Sequence, residues 1–429
     1  MKKSLDLRFN GKLESRVNRL FNTISYNKRS DFNEFVSNIS INHINSLDWW
    51  VQGPASRNTY ASPLFHYYCC LHLLRHLIDK GRFEFEDITI DSVIMRDIIK
   101  TLLTDSNIEG CSVSSGLKIQ QRIKIKVKKK LLIYVLFIRK LYQFFVARIT
   151  NINNRQSIPS RPLVLIDTFV MPDYIEDDRW YGTLWTNLTK KQQEETYFVP
   201  TFVLTPIVRM HSTYAKVRSN IRNYILKEDY LKFSDLLYAF GHKKRILQLD
   251  IGPVNVMGYE FSGLVKEELD NNSDLLTVIE SILIYRFIKR LKLASINIKL
   301  SIDWFEGQVI DKAWNMGFKS FFPGVKTLGY RATEGFTFYL CSYPIPIEKK
   351  AGVIPDIIAV QGKGMLNTVN EFMPGLDTIV IPSFKSSYVW DFKRKEAKNN
   401  QKIILISLPI SIKSSKIIIE KLVKAFDSN

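Results

Sequence analysis

Short apolar, β-branched runs recur along this chain and alternate with stretches whose apolar residues repeat at three and four, a pattern of strands interleaved with amphipathic helices. Strands are expected at Phe83–Ile90, Pro162–Asp167 and Ile246–Asp250, with a further apolar run at Phe198–Val208. From residue 294 the alternation becomes regular, with strands at Ile296–Ile302, Thr327–Tyr330, Ile357–Val360, Thr378–Ile381 and Lys402–Leu408. Helices are expected at Ser62–Lys80, Asp91–Leu103, Leu275–Leu293 and Ser415–Phe426, and at Gly307–Met316 with Gly317 as a glycine stop. The first 60 residues are polar, Asn-rich and weakly periodic until Asp48-Trp-Trp-Val51. This alternation predicts an α/β protein with mainly parallel sheets. At 429 residues the chain exceeds the usual size of one core, so two domains are expected, 1–290 and 291–429, the second Rossmann-like.

Charge adds one local feature. The net charge is +19, and the 57 residues between Glu109 and Asp167 carry twelve cations and no acid. Within the segment 118–149, Lys128-Lys-Lys leads into Leu131–Ile138, an apolar run of eight residues where a spanning helix needs about 20. As a helix, 123–149 puts Arg139, Lys140 and Gln143 on one side and leaves a broad apolar surface. That suits a helix lying on an anionic membrane, and equally a core helix with a solvated basic leader. Nucleic acid is the least supported partner, because zinc-finger, helix-turn-helix and RNP-like signatures are all missing. Four cysteines without regular spacing, and Met-Lys-Lys followed by no apolar run, point to the cytoplasm, with peripheral attachment to the inner face of the membrane as an option.

Candidate chemistry concentrates on acids that end strands. Ser-Ile-Asp303-Trp-Phe-Glu306 closes one such run, and Leu165-Ile-Asp167 another. In open α/β sheets ligands bind outside the carboxyl ends of strands, so these acids are candidate acid, base or nucleophile. Capping of the following helix explains Asp303 and Glu306 as well. Gly362-Lys363-Gly364 follows a strand and could hold an anion, or form an ordinary turn. Ser414 and Ser415 precede the last helix, where hydroxyls either receive phosphate or cap. Asp177-Asp178-Arg179-Trp180-Tyr181 gathers charges and rings as a sugar-binding surface does, or as a surface turn does. His66, Cys69, Cys70, His72 and His76 lie on one helix without an HExxH motif or an evident third ligand, so neither a metal nor another cofactor is expected.

The strings Trp49-Trp-Val-Gln-Gly-Pro-Ala-Ser-Arg57-Asn, Leu165-Ile-Asp167-Thr-Phe, Asp178-Arg179-Trp-Tyr, Asp303-Trp-Phe-Glu306-Gly-Gln, Gly329-Tyr-Arg331 and Ile354-Pro-Asp356 leading to Gly362-Lys363-Gly364 resemble a family of bacterial surface-carbohydrate biosynthesis proteins. That family is similar to the CMP-Kdo-dependent transferases of O antigen and capsule, with a GT-B-like pair of Rossmann-like domains. The resemblance implies transfer of 3-deoxy-octulosonic acid (Kdo), or a related ulosonic sugar, from a CMP-activated donor to a glycan or lipid-linked glycan acceptor. It makes Asp303 the nucleophile, with Glu306 or Asp167 as acid/base. Arg331, Lys363, Gly362, Gly364, Ser414 and Ser415 would meet the donor's anions. Arg57, Asp178, Arg179, Trp180 and Tyr181 would meet the acceptor. The basic segment departs from the resemblance. A non-catalytic glycan-assembly protein and a transferase using another nucleotide sugar, such as a UDP sugar, stay open.

Overall fold

The computed structural model describes residues 3–116, 119–152, 159–176, 178–271, 274–333, 335–391, 405–409 and 412–427. They form two compact units, 1–387 and 388–429. In the first, β1 (Ser4–Asp6), β2 (Asp87–Ile90) and β3 (Ser112–Ser115) pair in parallel as a small sheet. β4 (Leu163–Val170) and β5 (Thr196–Phe202) follow, then a short hairpin of β6 (Asn255–Val256) and β7 (Tyr259–Glu260). β8 (Ile298–Trp304), β9 (Lys326–Arg331), β10 (Ile357–Val360) and β11 (Thr378–Val380) complete a parallel sheet of spatial order β11-β10-β9-β8-β4-β5. The protein is therefore α/β with mainly parallel, Rossmann-like sheets.

That strand order locates the place where a ligand fits. From β4 the chain steps outward to β5, then returns across β4 to build β8 to β11 on its other side. The connections therefore diverge between β4 and β8, and the crevice outside the carboxyl ends of those two strands is the topological switch point.

The expected boundary at residue 290 is corrected. Residue 290 lies inside the helix Leu275–Leu293, and β4 and β5 share one sheet with β8 to β11. That helix packs on the helix Val309–Phe321, with Tyr285 and Phe321 rings 5.0 Å apart. Gly317 does not stop the second helix. A Cβ there would lie 2.6 Å from Ile288 Cδ1, so the glycine serves close helix approach instead.

Other differences are local. Ile246–Asp250 is no strand: a short helix, His242–Ile246, ends there. Of Lys402–Leu408, residues 402–404 lie outside the described residues, and 405–408 join no strand. The last helix of the second unit spans Ile412–Asp427. Near the amino terminus, Arg29–Ser40 is a helix that buries Phe32, Phe35, Val36 and Ile39, an apolar stripe at helical spacing diluted by Asn and Ser of indifferent helix propensity.

The basic segment forms one helix, Ile119–Ile152, and it is turned opposite to its amphipathic pattern. Lys140 and Gln143 face inward. Lys140 pairs with buried Glu280, and Gln143 Nε2 donates to Glu228 at 2.7 Å and to the Tyr214 hydroxyl at 2.9 Å. Glu280 also takes Lys227 at 2.7 Å. Burial works against its ionisation, but the two lysines outweigh burial and hold its carboxyl well below the ordinary range. Among the described residues no helix is long and apolar enough to cross a membrane.

Candidate active site at the β4–β8 switch point

Ile166 of β4 pairs with Ile302 of β8, so the residues that follow, Asp167 and Asp303, are neighbours on the opposite face of the sheet. That face is covered by helices. Asn315, on the helix Val309–Phe321, donates its Nδ2 to Asp303 Oδ2 at 2.9 Å, and Trp314 donates its indole to Ser301 Oγ at 2.8 Å. Asp167 is 1% exposed and Asp303 0%. Both Asp167 oxygens and Asp303 Oδ1 have no hydrogen-bond partner among the described residues. Burial pushes the Asp167 carboxyl up to about 7, with Lys227 only partly opposing it. Burial also pushes Asp303 well above the carboxylate range; Asp311 and Asp167 add to that, against the Asn315 hydrogen bond. Burial thus disfavours the charged form of two neighbouring acids in one layer.

Asp311 was not singled out in the sequence, yet it shapes the mouth. Its Oδ2 accepts from the backbone N–H of Glu306 at 2.8 Å and of Gln308 at 2.9 Å, closing the turn that starts the helix Val309–Phe321. The signal was present as Gln308-x-x-Asp311, a capping-box spacing. Gly307 sits at φ 76° inside this turn, and a Cβ would fall 1.8 Å from the Cys341 carbonyl oxygen. A side chain at 307 would push the turn off the 341–342 backbone. Neither Asp303 nor Glu306 caps the helix. Glu306 is partly exposed at the mouth, where its Oε1 accepts from the Trp304 indole at 2.8 Å.

The other face of the sheet carries aromatic rings. Trp180 meets Trp304 at 5.2 Å, and Tyr181 meets Tyr330 at 5.2 Å and Trp304 at 5.6 Å. The Tyr181 hydroxyl donates to the Asp167 carbonyl at 2.9 Å. Trp304, Tyr181 and Tyr330 are buried and only Trp180 is partly exposed, so Tyr181 packs in the fold and does not face an acceptor; full burial of such rings is worth about 1.5–3 kcal/mol each, which makes the layer mainly structural. Its rim holds Lys385, whose Nζ lies 5.2 Å from the Trp304 ring centre and 5.7 Å from that of Trp180. Gln361 donates to the Tyr330 hydroxyl at 2.6 Å and accepts from Ser383 Oγ at 2.8 Å. Lys385 stands in no motif that would have drawn attention to it, and Gln361 directly precedes the candidate Gly362-Lys363-Gly364 turn.

The remaining expected residues divide by burial. Arg57 is 1% exposed and its two terminal nitrogens are engaged in structure: they donate to Glu348 and the Tyr343 carbonyl at 2.8 Å, and to Asn33 and the Leu340 carbonyl at 2.9 Å. Lys312 joins the same Glu348 at 2.7 Å. Arg331 is equally buried and ties down the loop that follows it through the carbonyls of Ser342 and Thr333. Asp178 caps its own turn by accepting from the N–H groups of Trp180 and Tyr181, and pairs with buried Arg222 at 2.8 Å. These contacts correct the expectation that Arg57, Arg331 and Asp178 face a ligand. Asp177 lies outside the described residues. Arg179 is exposed beside the Tyr174 ring.

Lys363 is exposed beyond the carboxyl end of β10, in a short turn whose Gly362 adopts φ 112°, ψ 155°, a region that L side chains avoid. Gly364 lies within that turn. Ser414 is exposed in the second unit, and Ser415 Oγ donates to the Pro409 carbonyl at 2.7 Å, a local turn contact. Among the described residues no group of three or more His, Cys, Asp or Glu could hold a metal ion. Comparison with protein-family models, with curated proteins and with solved structures gave no match.

Proposed function

We propose that this chain is a glycosyltransferase of bacterial surface-polysaccharide assembly, transferring Kdo or a related ulosonic acid from a CMP-activated donor to a glycan acceptor. The observation that carries this reading is the mouth of the β4–β8 switch point, where a partly exposed carboxylate, Glu306, stands beside Trp304 and Trp180 with Lys385 on the rim. Trp304 is buried beneath Trp180, which is partly exposed and is the ring that a sugar face can meet, and a cation beside it suits a sugar that carries its own carboxylate. Such a donor releases a phosphate monoester, so Lys363 and Lys385 supply the charge that the leaving group needs. The roles change from those first expected. Asp303 and Asp167 are fully buried, and burial disfavours their charged forms, so neither is placed to approach an anomeric carbon, and the carboxylate that meets the sugar is Glu306. Asp311 then acts as a positioning residue, since it holds the Glu306 N–H.

Burial of both aspartates also favours a second reading, a non-catalytic protein that binds glycan on the aromatic rim. A melting screen against CMP, UDP, GDP and ADP separates the two. Under the first reading CMP alone raises the melting temperature by several degrees at about 100 times Kd, and Lys363→Ala removes most of that rise. A response to UDP instead would move the donor class, and no response to any nucleotide would leave the binding protein standing.

A further inference from the structure

The helix Ile119–Ile152 exposes the side chains that its sequence would bury. Leu131, Val135, Ile138, Tyr142, Phe145 and Ile149 are between 41% and 65% exposed, and their spacing of four, three, four, three and four puts them on one continuous stripe. The helix cannot simply roll to hide that stripe. Its opposite side is fixed by Lys140 on Glu280, by Gln143 on Glu228 and Tyr214, and by Phe144 and Ala147 in the core. Rolling the apolar stripe inward would leave Glu280 and Glu228 buried beside fewer partners, which is strongly unfavourable for buried acids. The stripe also has a neighbour. Arg139 donates to the Thr205 carbonyl at 2.9 Å, and on either side of Thr205 stand Leu204, 78% exposed, and Val208, 90% exposed. Helix and loop together make an apolar surface larger than a lone helix edge, of the kind that marks an interaction site.

We infer that this face lies on an anionic lipid surface. Charge complementarity chooses the occupant. The stripe sits in 57 consecutive residues with twelve cations and no acid, and Lys128-Lys129-Lys130 leads directly into it. A second copy of this chain would bring two such acid-free segments together, with like charges opposed and no carboxylate in the segment to offset them. A leaflet of phosphatidylglycerol or similar lipid offers the opposite charge and an apolar interior. The basic groups draw the helix to the headgroups, and the outward rings and branched chains enter the acyl boundary. The inference does not depend on the chemistry at Glu306.

Flotation of the full chain with vesicles tests it directly, with no nucleotide or sugar present. Vesicles with about a third phosphatidylglycerol in phosphatidylcholine should bind the chain at least ten-fold better than phosphatidylcholine alone, and the excess should fall when salt rises from about 0.1 M to about 0.5 M. Two variants act separately. Lys128→Glu/Lys129→Glu/Lys130→Glu should remove most or all of that anionic preference. Ile138→Asp/Phe145→Asp should weaken binding about ten-fold or more while leaving the melting temperature near that of wild type, because both side chains are already exposed. Equal or absent binding of wild type to the two vesicle types overturns the inference. So does a wild-type dimer in light scattering that Ile138→Asp/Phe145→Asp turns into a monomer, since a second copy would then be what covers the stripe.

Discussion

Glu306→Gln is expected to slow CMP release from a CMP-activated ulosonate by about 10²–10⁴-fold, the range that a general acid/base group supplies. The substitution keeps an oxygen that can accept from the Trp304 indole, and the Asp311 contacts run through the backbone N–H groups of Glu306 and Gln308. The turn should therefore persist, and melting should change little. Asp303→Asn is the informative partner. If Asp303 is the neutral, buried group that its environment makes it, an amide in its place keeps the acceptor for Asn315, and activity should fall far less than in Glu306→Gln. The reverse ranking, with Asp303→Asn inactive and Glu306→Gln active, would return the nucleophile to Asp303 and require the helical layer to open during turnover. If wild type released no CMP, the transferase reading itself would fall.

A second large effect is one of stability against pH. Asp167 titrates near 7 when folded and near 3.8 when unfolded, so between those values the folded chain holds a proton that the unfolded chain has lost. Stability from this group is complete below the unfolded value, declines by about 1.4 kcal/mol per pH unit as pH rises, and is gone once pH passes the folded value. The whole span is on the order of 4 kcal/mol. His66 and His72 act in the opposite sense: burial lowers both, His72 to about 4, so the folded chain loses stability as pH falls through the range where the unfolded imidazoles charge. Those contributions are common to wild type and Asp167→Asn and cancel in the comparison. Urea midpoints should therefore favour Asp167→Asn over wild type at pH 8 by several kcal/mol and show little or reversed preference at pH 4. A difference that stays constant with pH would mean that Asp167 is ionised in the fold.

Both predictions rest on placements that sequence patterning revealed only in part. Strand and helix existence was legible wherever one period dominated: Ile357–Val360 and Leu275–Leu293 are found where expected, and Asp303 lies next to the end of its strand, whereas Asp167 does not end its own, which continues through Thr168, Phe169 and Val170 because these pair with β5. The capping spacing of Gln308 and Asp311 could have been read in the same way. Ile246–Asp250 was not legible, because five residues with alternating apolar character suit the end of a helix as well as a strand.

What the sequence determined by itself is many of the elements, the parallel α/β class and the acid-free basic stretch, because each depends on residues within a few positions of one another. Which side of an element faces the core was decided elsewhere. In β8 the polar Ser301 and Asp303 are fully buried while Leu300 and Ile302 are only partly so, since Trp314 and Asn315 on the next helix supply the hydrogen bonds that make polar burial tolerable. In the helix Ile119–Ile152 the partner of Lys140 is Glu280, 140 residues away. Arg57 is likewise committed to Glu348, 291 residues away, rather than to a ligand. A local pattern measures how much a side chain prefers water, whereas burial of a polar group depends on whether a distant partner replaces that water, and only the tertiary structure brings such partners together.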